Sequence, residues 1–165
     1  MAIRTCSHCD ARHEDLMGQY QLQFYKDEHG DEPVRRWLKE ELSRTQRLVV
    51  GTAMREVLEE NGINVCGTEF GGQLGNGLFE FRVRGTLDEF VEDAAAAHAG
   101  AAKEKILIRV FCHAYGDKMV LLLAGYDKLV QPSKSHQNEQ IKLARKRLAA
   151  WKVLGAKTRS RRRTP

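Results

Sequence analysis

Apolar residues recur along the chain with the two spacings that distinguish strands from helices. Alternation of apolar and polar residues predicts strands, and apolar stripes with the helical period predict amphipathic helices. The predicted strands span residues 19–25, 78–84, 106–112 and 119–124, and the predicted helices span residues 33–42, 45–62 and 138–154. The resulting order of elements is β-α-α-β-β-β-α.

Proline and glycine positions support two of these helix boundaries. Pro33 suits the first position of a helix, because its missing N–H group would have no helical partner there in any case. Asn61 and Gly62 are typical of the end of a helix. We therefore predict an α+β domain, in which a mostly antiparallel sheet carries an N-terminal helical hairpin and a C-terminal basic helix.

The segments between the elements define the predicted organisation of the chain. Residues 1–18 are an N-terminal extension, residues 19–154 form the domain, and residues 155–165 are a basic tail. The polar and alanine-rich residues 86–105 are predicted to be a surface insertion. The glycine-rich residues 71–77 are predicted to be a turn, because they do not follow a strand and open a helix as a nucleotide-binding loop would.

Composition and cysteine content exclude several classes of protein. The chain has 165 residues, of which 42% are hydrophobic, so it can bury a core. No stretch approaches the ~20 apolar residues of a membrane helix, and residues 1–10 lack the apolar segment of a signal peptide. We therefore predict a cytoplasmic protein without a membrane partner, in which the four scattered cysteines are reduced.

Cys6 and Cys9 have the spacing of half a zinc site. Zinc needs four ligands, and a second pair at the usual spacing is missing; His13 is one further candidate ligand, at an unusual spacing. We predict that the protein uses no metal and no other cofactor.

Positive charge is concentrated at the C-terminal end. The net charge is +5, and the segment from Lys134 onward contains eleven Lys or Arg residues against one acidic residue, Glu139. A cationic end on a mildly acidic body indicates an anionic partner, with nucleic acid as the first candidate. The alternative is a solvated tail without a partner.

Four segments carry a resemblance to a known family. They are residues 24–38 with Pro33-Val34 opening a helix, residues 78–84, the paired strands 108–111 and 118–123, and residues 125–128 leading to 140–147. In this order and spacing they resemble the RelE/HigB toxin superfamily, specifically its phage-derived HigB-type branch. The resemblance spans about residues 20–152. The insertion before residue 105 is longer than the family pattern, and Lys128 is followed by Leu129 instead of a second lysine.

The resemblance implies an endoribonuclease that cleaves mRNA, usually on the ribosome, and that is neutralised by an antitoxin, typically a helix-turn-helix protein. Such toxins use the 2′-hydroxyl of the RNA as nucleophile, and they use Arg, Lys and Tyr side chains instead of a histidine pair. The residues implied to stabilise the phosphate are Arg82 and Arg109, with Lys128 as a charge donor or acid–base group. The residues implied to contact RNA are Arg84, Tyr126, Lys134 and His136.

Each arginine also has a purely structural interpretation. Arg82 and Arg84 lie on the polar side of a strand, where Glu80 is available as an ion-pair partner. Arg109 interrupts an apolar strand and could form a structural ion pair there. The basic face of the last helix could grip ribosomal RNA or receive an acidic antitoxin segment.

Two further functions remain open from the sequence. One is a catalytically silent protein of the same fold that binds RNA or the ribosome. The other is a DNA-binding regulator built on helix 45–62, although that helix has few outward basic groups beyond Arg47 and Arg55.

Overall fold

The computed structural model describes residues 19–90 and 103–161, the last five by their backbone only. The strands are β1 (Gln21–Phe24), β2 (Gly71–Gly75), β3 (Leu78–Gly85), β4 (Ile106–Tyr115) and β5 (Met119–Asp127). They form one sheet in the order β1-β5-β4-β3-β2. β1 pairs with β5 in parallel and all other pairs are antiparallel, which confirms the predicted α+β class and mostly antiparallel sheet.

The main helices are α1 (Pro33–Glu40), α2 (Arg44–Ala53) and α3 (Lys134–Arg161). Pro33 opens α1 as predicted. Ser43 caps α2, because its side chain accepts a hydrogen bond from Gln46 N–H while the Gln46 side chain bonds back to Ser43 N–H. The Ser43 cap explains why a separate helix begins directly after α1.

The helical path of α2 continues beyond Ala53. A π-helical turn (Met54–Leu58) and a short α-helical turn (Glu59–Asn61) extend it to the predicted end at Gly62, where φ is +52°. A Cβ at Gly62 would collide with the ring of Tyr20, so the glycine serves both the backbone turn and the packing. A 3₁₀ helix (Gly62–Gly67) then leads towards β2.

The sheet is covered on both faces. One face carries the predicted core residues Phe79, Phe81 and Val83, and α1 and α2 pack on it. On the opposite face, Ala144 and Leu148 of α3 pack against a second apolar cluster, whose sheet members are Leu78, Phe111, Leu121, Leu123, Ala124 and Tyr126. Burial of each large apolar side chain contributes about 1.5–3 kcal/mol, so both layers stabilise the sheet.

The prediction of a turn at residues 71–77 was wrong. Gly71–Gly75 form the edge strand β2, and the turn consists of Asn76 and Gly77 alone, both with positive φ. An Asn-Gly pair is the preferred two-residue connection of a hairpin. Gly71 is suited to this strand because a Cβ there would collide with the backbone of Val65 and Cys66.

Two boundaries near the C-terminus were also predicted wrongly. β5 runs to Asp127, so Tyr126 lies in a strand and not in an irregular segment. α3 begins at Lys134 instead of residue 138 because Ser133 caps it, its hydroxyl accepting a hydrogen bond from His136 N–H. Lys134 and His136 therefore belong to the first turn of a helix, and α3 continues to Arg161, into the predicted tail.

Part of the predicted insertion is built into the fold. Leu87–Phe90 form one helical turn, and Leu87 is buried in the core beneath α2. The rest of the insertion up to residue 102, and the Cys6/Cys9 extension, lie outside the described residues. Among the helices that the structure describes, none combines the length and apolarity needed to cross a membrane.

Candidate functional site

Three of the predicted site residues form one row across the sheet. Arg82 on β3 is directly opposite Arg109 on β4, and Arg109 is directly opposite Tyr126 on β5. The row lies on the sheet face opposite the Phe79 and Phe81 core, as the alternation along β3 predicts. The fold therefore brings together residues that are far apart in the sequence.

Glu80 connects the two arginines. Arg82 Nε donates a hydrogen bond to Glu80 Oε1 at 2.6 Å, and Arg109 Nη1 donates to the same oxygen at 2.7 Å. The Glu80 side chain is only 4% exposed. Like charges on directly opposite residues repel, and the shared carboxylate offsets this repulsion. The ion pair that the sequence allowed for Arg82 and for Arg109 is therefore present.

The exposures of the two arginines differ. The Arg82 side chain is 38% exposed and the Arg109 side chain is 14% exposed, so Arg82 is the more accessible cation. The guanidinium of Arg82 lies over Gly72 of β2, where a Cβ would collide with it. A glycine at this position leaves Arg82 room to bend back onto Glu80.

Two polar atoms of the row are buried without a hydrogen-bond partner, Arg109 Nε and the Tyr126 hydroxyl. The Tyr126 ring is 4% exposed and stacks on Phe111, so it offers no free face for the base stacking considered above. Burial raises the pKa of Tyr126, and the neighbouring Arg109 counteracts only part of this effect. The phenol therefore stays protonated near neutral pH, and its buried hydroxyl is a donor without a bonded acceptor.

The first turn of α3 covers one side of the row. The imidazole of His136 packs edge-on against Tyr126, with 5.1 Å between the ring centroids. Gln137 Nε2 donates to Glu80 Oε2 at 3.3 Å. Both oxygens of Glu80 are thus occupied, which makes Glu80 a positioning group. His136 is the nearby imidazole, and its ring nitrogens lie 3.4 Å from Gln140 Nε2 and 3.9 Å from Glu139 Oε2.

A second row lies beside the first at the open end of the sheet. Arg84 is directly opposite Leu107, and the backbone N–H of Lys128 donates to the Leu107 carbonyl at 2.8 Å. Arg84 is two residues from Arg82 and so lies on the same face. Among the described residues, neither Arg84 nor Lys128 has an ion-pair partner within 4.0 Å. The second row thus places Arg84 and Lys128 next to the Arg82–Arg109 pair in the sheet, without a contact to Glu80.

The two rows and the residues beside them form one cluster, which consists of Glu80, Arg82, Arg84, Arg109, Tyr126, Lys128 and His136. Lys134 is the predicted contact residue that the structure does not bring into this cluster. It is the exposed first residue of α3, and no contact with Arg82, Arg109 or Glu80 is formed. Lys134 therefore remains a candidate only for contacts with a longer RNA that extends along α3.

Some basic residues of α3 form hydrogen bonds within the protein, and others are exposed without such bonds. Arg145 donates to the Leu74 carbonyl at 2.9 Å, and Arg147 donates to the Leu123 carbonyl at 2.7 Å. Burial lowers the pKa of Arg147, whose guanidinium also lies over the Tyr25 ring. The exposed lysines of this face, which remain free for a partner, are Lys142, Lys146 and Lys152.

Glu80 is the main site residue that the sequence prediction missed as a component of the site. A glutamate on the polar side of an alternating strand is usually solvent-exposed, and here the arginines and α3 bury it. The available signal was Arg82 two residues away on the same face.

The described cysteines and acidic residues give no sign of a metal centre. Cys66 and Cys112 are free thiols, and burial raises the pKa of both. Among the described residues, no three His, Cys, Asp or Glu side chains come together as metal ligands. The Cys6/Cys9 hypothesis concerns residues outside the described ranges.

Comparison of the sequence with models of protein families gives no match, and comparison with curated proteins gives none either. The functional argument therefore depends on the cluster itself.

Proposed function

We propose that this protein is an endoribonuclease toxin of a type II toxin–antitoxin pair, with a RelE-like fold, which cleaves mRNA on the ribosome and so inhibits translation and growth. One observation carries the proposal: the cross-strand pair Arg82 and Arg109, held in place by one buried carboxylate beside two further cations. This arrangement suits a phosphodiester, because fixed cations stabilise the charge that develops on phosphorus.

The reaction proposed is an internal transfer of the phosphoryl group. The 2′-oxygen of the RNA attacks the adjacent phosphorus, the bond from phosphorus to the 5′-oxygen breaks, and the products are a 2′,3′-cyclic phosphate and a 5′-hydroxyl. One proton leaves the 2′-hydroxyl and one is added to the 5′-oxygen. The enzyme must therefore supply charge stabilisation, a proton acceptor and a proton donor.

The residues of the cluster can divide these tasks. Arg82 and Arg109 contact the non-bridging phosphate oxygens, and Lys128 adds a charge or donates a proton. His136 accepts the proton of the 2′-hydroxyl, and Tyr126 donates through its protonated phenol. Glu80 is a positioning residue, because its oxygens are already bonded to Arg82, Arg109 and Gln137.

A second candidate function is a catalytically silent RNA- or ribosome-binding protein of the same fold. It is favoured by the fact that Glu80 already binds both guanidinium groups and that Arg109 is largely buried. In a silent binding protein the exposed Arg84 and Lys134 and the half-buried Lys128 would contact phosphates, and no bond would be cleaved.

Induced expression in bacteria distinguishes the two functions. The wild-type chain is expressed beside an Arg82→Ala/Lys128→Ala double variant, growth is followed, and mRNA 5′ ends are mapped by primer extension. We expect growth arrest with new 5′ ends for the wild type only. Co-purification of the wild type with ribosomes but without new ends would support the silent binding protein.

The partner prediction is tested in the same cells. We propose that a small helix-turn-helix antitoxin neutralises the protein, so co-expression of the adjacent open reading frame should restore growth. A toxic wild type that no neighbouring gene product neutralises would contradict the toxin–antitoxin part of the proposal while leaving the ribonuclease part intact.

A further inference from the structure

A cleft of about 490 Å³ lies between α1 and α3, beside the end of β5. β5 pairs with β1 only as far as Leu122, and no described strand pairs with that edge of β5 further on. The unpaired end of β5 lines the cleft. Trp37 of α1 packs so closely on Gly125 that a Cβ there would lie 2.6 Å from the indole ring. The volume is in the range of small-ligand sites.

The cleft shares a wall with the arginine row. Tyr126 lines the cleft and is the cross-strand partner of Arg109. Neighbouring strands are about 4.8 Å apart, so the cleft begins one strand away from Arg109. His136 lines the cleft as well and contacts Tyr126. An RNA whose phosphate contacts the arginines therefore has the cleft within reach of an adjacent base.

The residues that line the cleft can bind an unpaired base through stacking and hydrogen bonds. Trp37 and His136 offer aromatic surfaces for stacking. The amides of Gln131 and Gln140 offer donors and acceptors for a base edge. Val130 stands at the mouth with 70% of its surface exposed and adds apolar contact area.

The acidic groups of the cleft decide against an acidic protein segment as its occupant. Glu40, Glu41 and Asp127 line the cleft and would repel such a segment. The two cations of the lining are Arg36, which pairs with Asp31, and Arg147, which donates to the Leu123 carbonyl.

Carboxylates accept hydrogen bonds from the amino groups of bases, so Glu40 and Glu41 favour a nucleobase. The oxygens of Asp127 already accept from Gln46 Nε2 and the Leu129 N–H. Arg36 at the rim supplies a cation for the backbone of the RNA.

We infer that this cleft binds one unpaired nucleobase of the RNA, next to the phosphate held by Arg82 and Arg109. The inference rests on the proposed ribonuclease function and adds a determinant of sequence preference to it. The base stacks against His136 and Trp37, and Gln140 contacts its edge.

Trp37 provides the signal for a direct test. The chain contains two tryptophans, so a Trp151→Phe background leaves Trp37 as the fluorophore in the cleft. The full chain is titrated with the four homotrinucleotides carrying 2′-O-methyl groups, which block cleavage, and with the same sequences paired within the stem of a longer hairpin. Gln140→Leu tests the cleft, and Asn138→Leu, an exposed residue of the same helix outside the cleft, is the matched control.

We expect the unpaired trinucleotides to change Trp37 fluorescence and the duplexes to have no effect. Loss of one hydrogen bond in Gln140→Leu should weaken binding of the preferred base about five-fold and change the order of preference, whereas Asn138→Leu should bind as the parent does. Equal binding by the two variants, or no response to any trinucleotide, would overturn the inference. A response to a glutamate-rich peptide and not to RNA would overturn it in favour of a protein partner.

Cleavage of unmodified RNA, measured on the same samples, separates this inference from the proposed function. RNA cleavage without a change in Trp37 fluorescence would contradict the base site and support the proposed ribonuclease function. A change in Trp37 fluorescence without RNA cleavage would support the base site and contradict the proposed ribonuclease function.

Discussion

Arg82 and Arg109 face each other on neighbouring strands and bind the same oxygen atom, Oε1 of Glu80. Two guanidinium groups at this spacing would repel each other without the carboxylate. The cluster keeps a net positive charge after this pairing, and Arg84 and Lys128 add to it from the neighbouring row. A phosphate can bind this charge while Glu80 keeps the arginines in position.

Replacing Glu80 tests its role in holding the arginines. Glu80→Gln leaves Arg109 buried without its counter-charge, so we expect the free energy of unfolding to fall by about 3 kcal/mol. Urea unfolding measures the change, and Glu56→Gln, which removes an exposed carboxylate paired with Arg55, should leave the midpoint unchanged. Equal stability of Glu80→Gln and the wild type would mean that the buried ion pairs do not hold the cluster together.

Substitution by alanine should affect stability differently at the neighbouring residues Gly71 and Gly72. In Gly71→Ala the new Cβ meets the backbone of Val65 and Cys66, so we expect a loss of roughly 1–3 kcal/mol in the free energy of unfolding. In Gly72→Ala it collides with the movable end of Arg82 and makes an ordinary contact with Glu80 Oε1 at 3.5 Å, so stability should change less than in Gly71→Ala while RNA cleavage falls.

Gly51→Ala is the control for both glycine variants. A Cβ at Gly51 has no neighbour within 4 Å, and alanine should raise the free energy of unfolding by roughly 1 kcal/mol because of its higher helix propensity. Urea unfolding and the cleavage rate are measured on all three variants. Unchanged cleavage by Gly72→Ala would show that the position of Arg82 over Gly72 has no functional importance.

Tyr126→Phe separates stability from activity. The variant removes a buried hydroxyl that has no hydrogen-bond partner, so the protein should be as stable as the wild type or more stable by up to about 1 kcal/mol. If the phenol donates a proton, the cleavage rate should fall at least ten-fold. Thermal unfolding and RNA cleavage give the two values, and full activity in a stable Tyr126→Phe variant would exclude the phenol from the reaction.

Tyr126 also makes the free energy of unfolding depend on pH in the alkaline range. Burial raises the pKa of Tyr126 and of Tyr115 above the ordinary value of about 10. The folded state thus favours the protonated phenols, and this stabilisation is complete below about pH 10 and is lost as the pH rises through the raised pKa values. Unfolding in urea at pH 8 to 11 should show the decline, and a Tyr126→Phe variant that declines as steeply as the wild type would contradict this assignment.

Salt dependence tests whether α3 contacts RNA phosphates. The exposed lysines of its basic face are Lys142, Lys146 and Lys152. Changing all three to Gln should reduce the slope of log affinity against log salt by about 2 for single-stranded RNA. A control with the same charge change replaces three exposed lysines elsewhere, Lys39, Lys103 and Lys105. Equal slopes in the two triple variants would place the RNA contact away from α3.

The strands and the α+β class were predictable because alternation and apolar runs report burial directly. The nearly continuous apolar runs in β4 and β5 indicate strands that are covered on both faces, and α3 provides the second cover. The interruption at Arg109 marks the place where the ion pair with Glu80 replaces apolar packing under α3. The pairing of Arg109 with Tyr126 could not be predicted, because register depends on the bulge that follows Phe111.

The start of α3 and the role of Glu80 were missed for different reasons. Ser133 is a strong N-cap, but the polar residues after it hide the helical period, so the predicted helix began four residues late. Glu80 is buried by residues from three separate elements. The local signal in β3, Arg82 two residues away, indicates an ion pair but not the contacts with Arg109 and Gln137 that complete the burial.

The most direct test of the central claim is the rate at which purified protein produces new 5′-hydroxyl ends on ribosome-bound mRNA, for the wild type, Arg82→Ala and Arg55→Ala. Arg55 is an exposed arginine of the π-helical turn, so its variant controls for the loss of one positive charge. The account predicts equal rates for the wild type and Arg55→Ala, and a rate about 100-fold lower for Arg82→Ala. A folded Arg82→Ala variant that cleaves at the wild-type rate, or a wild type that produces no new ends, would contradict it.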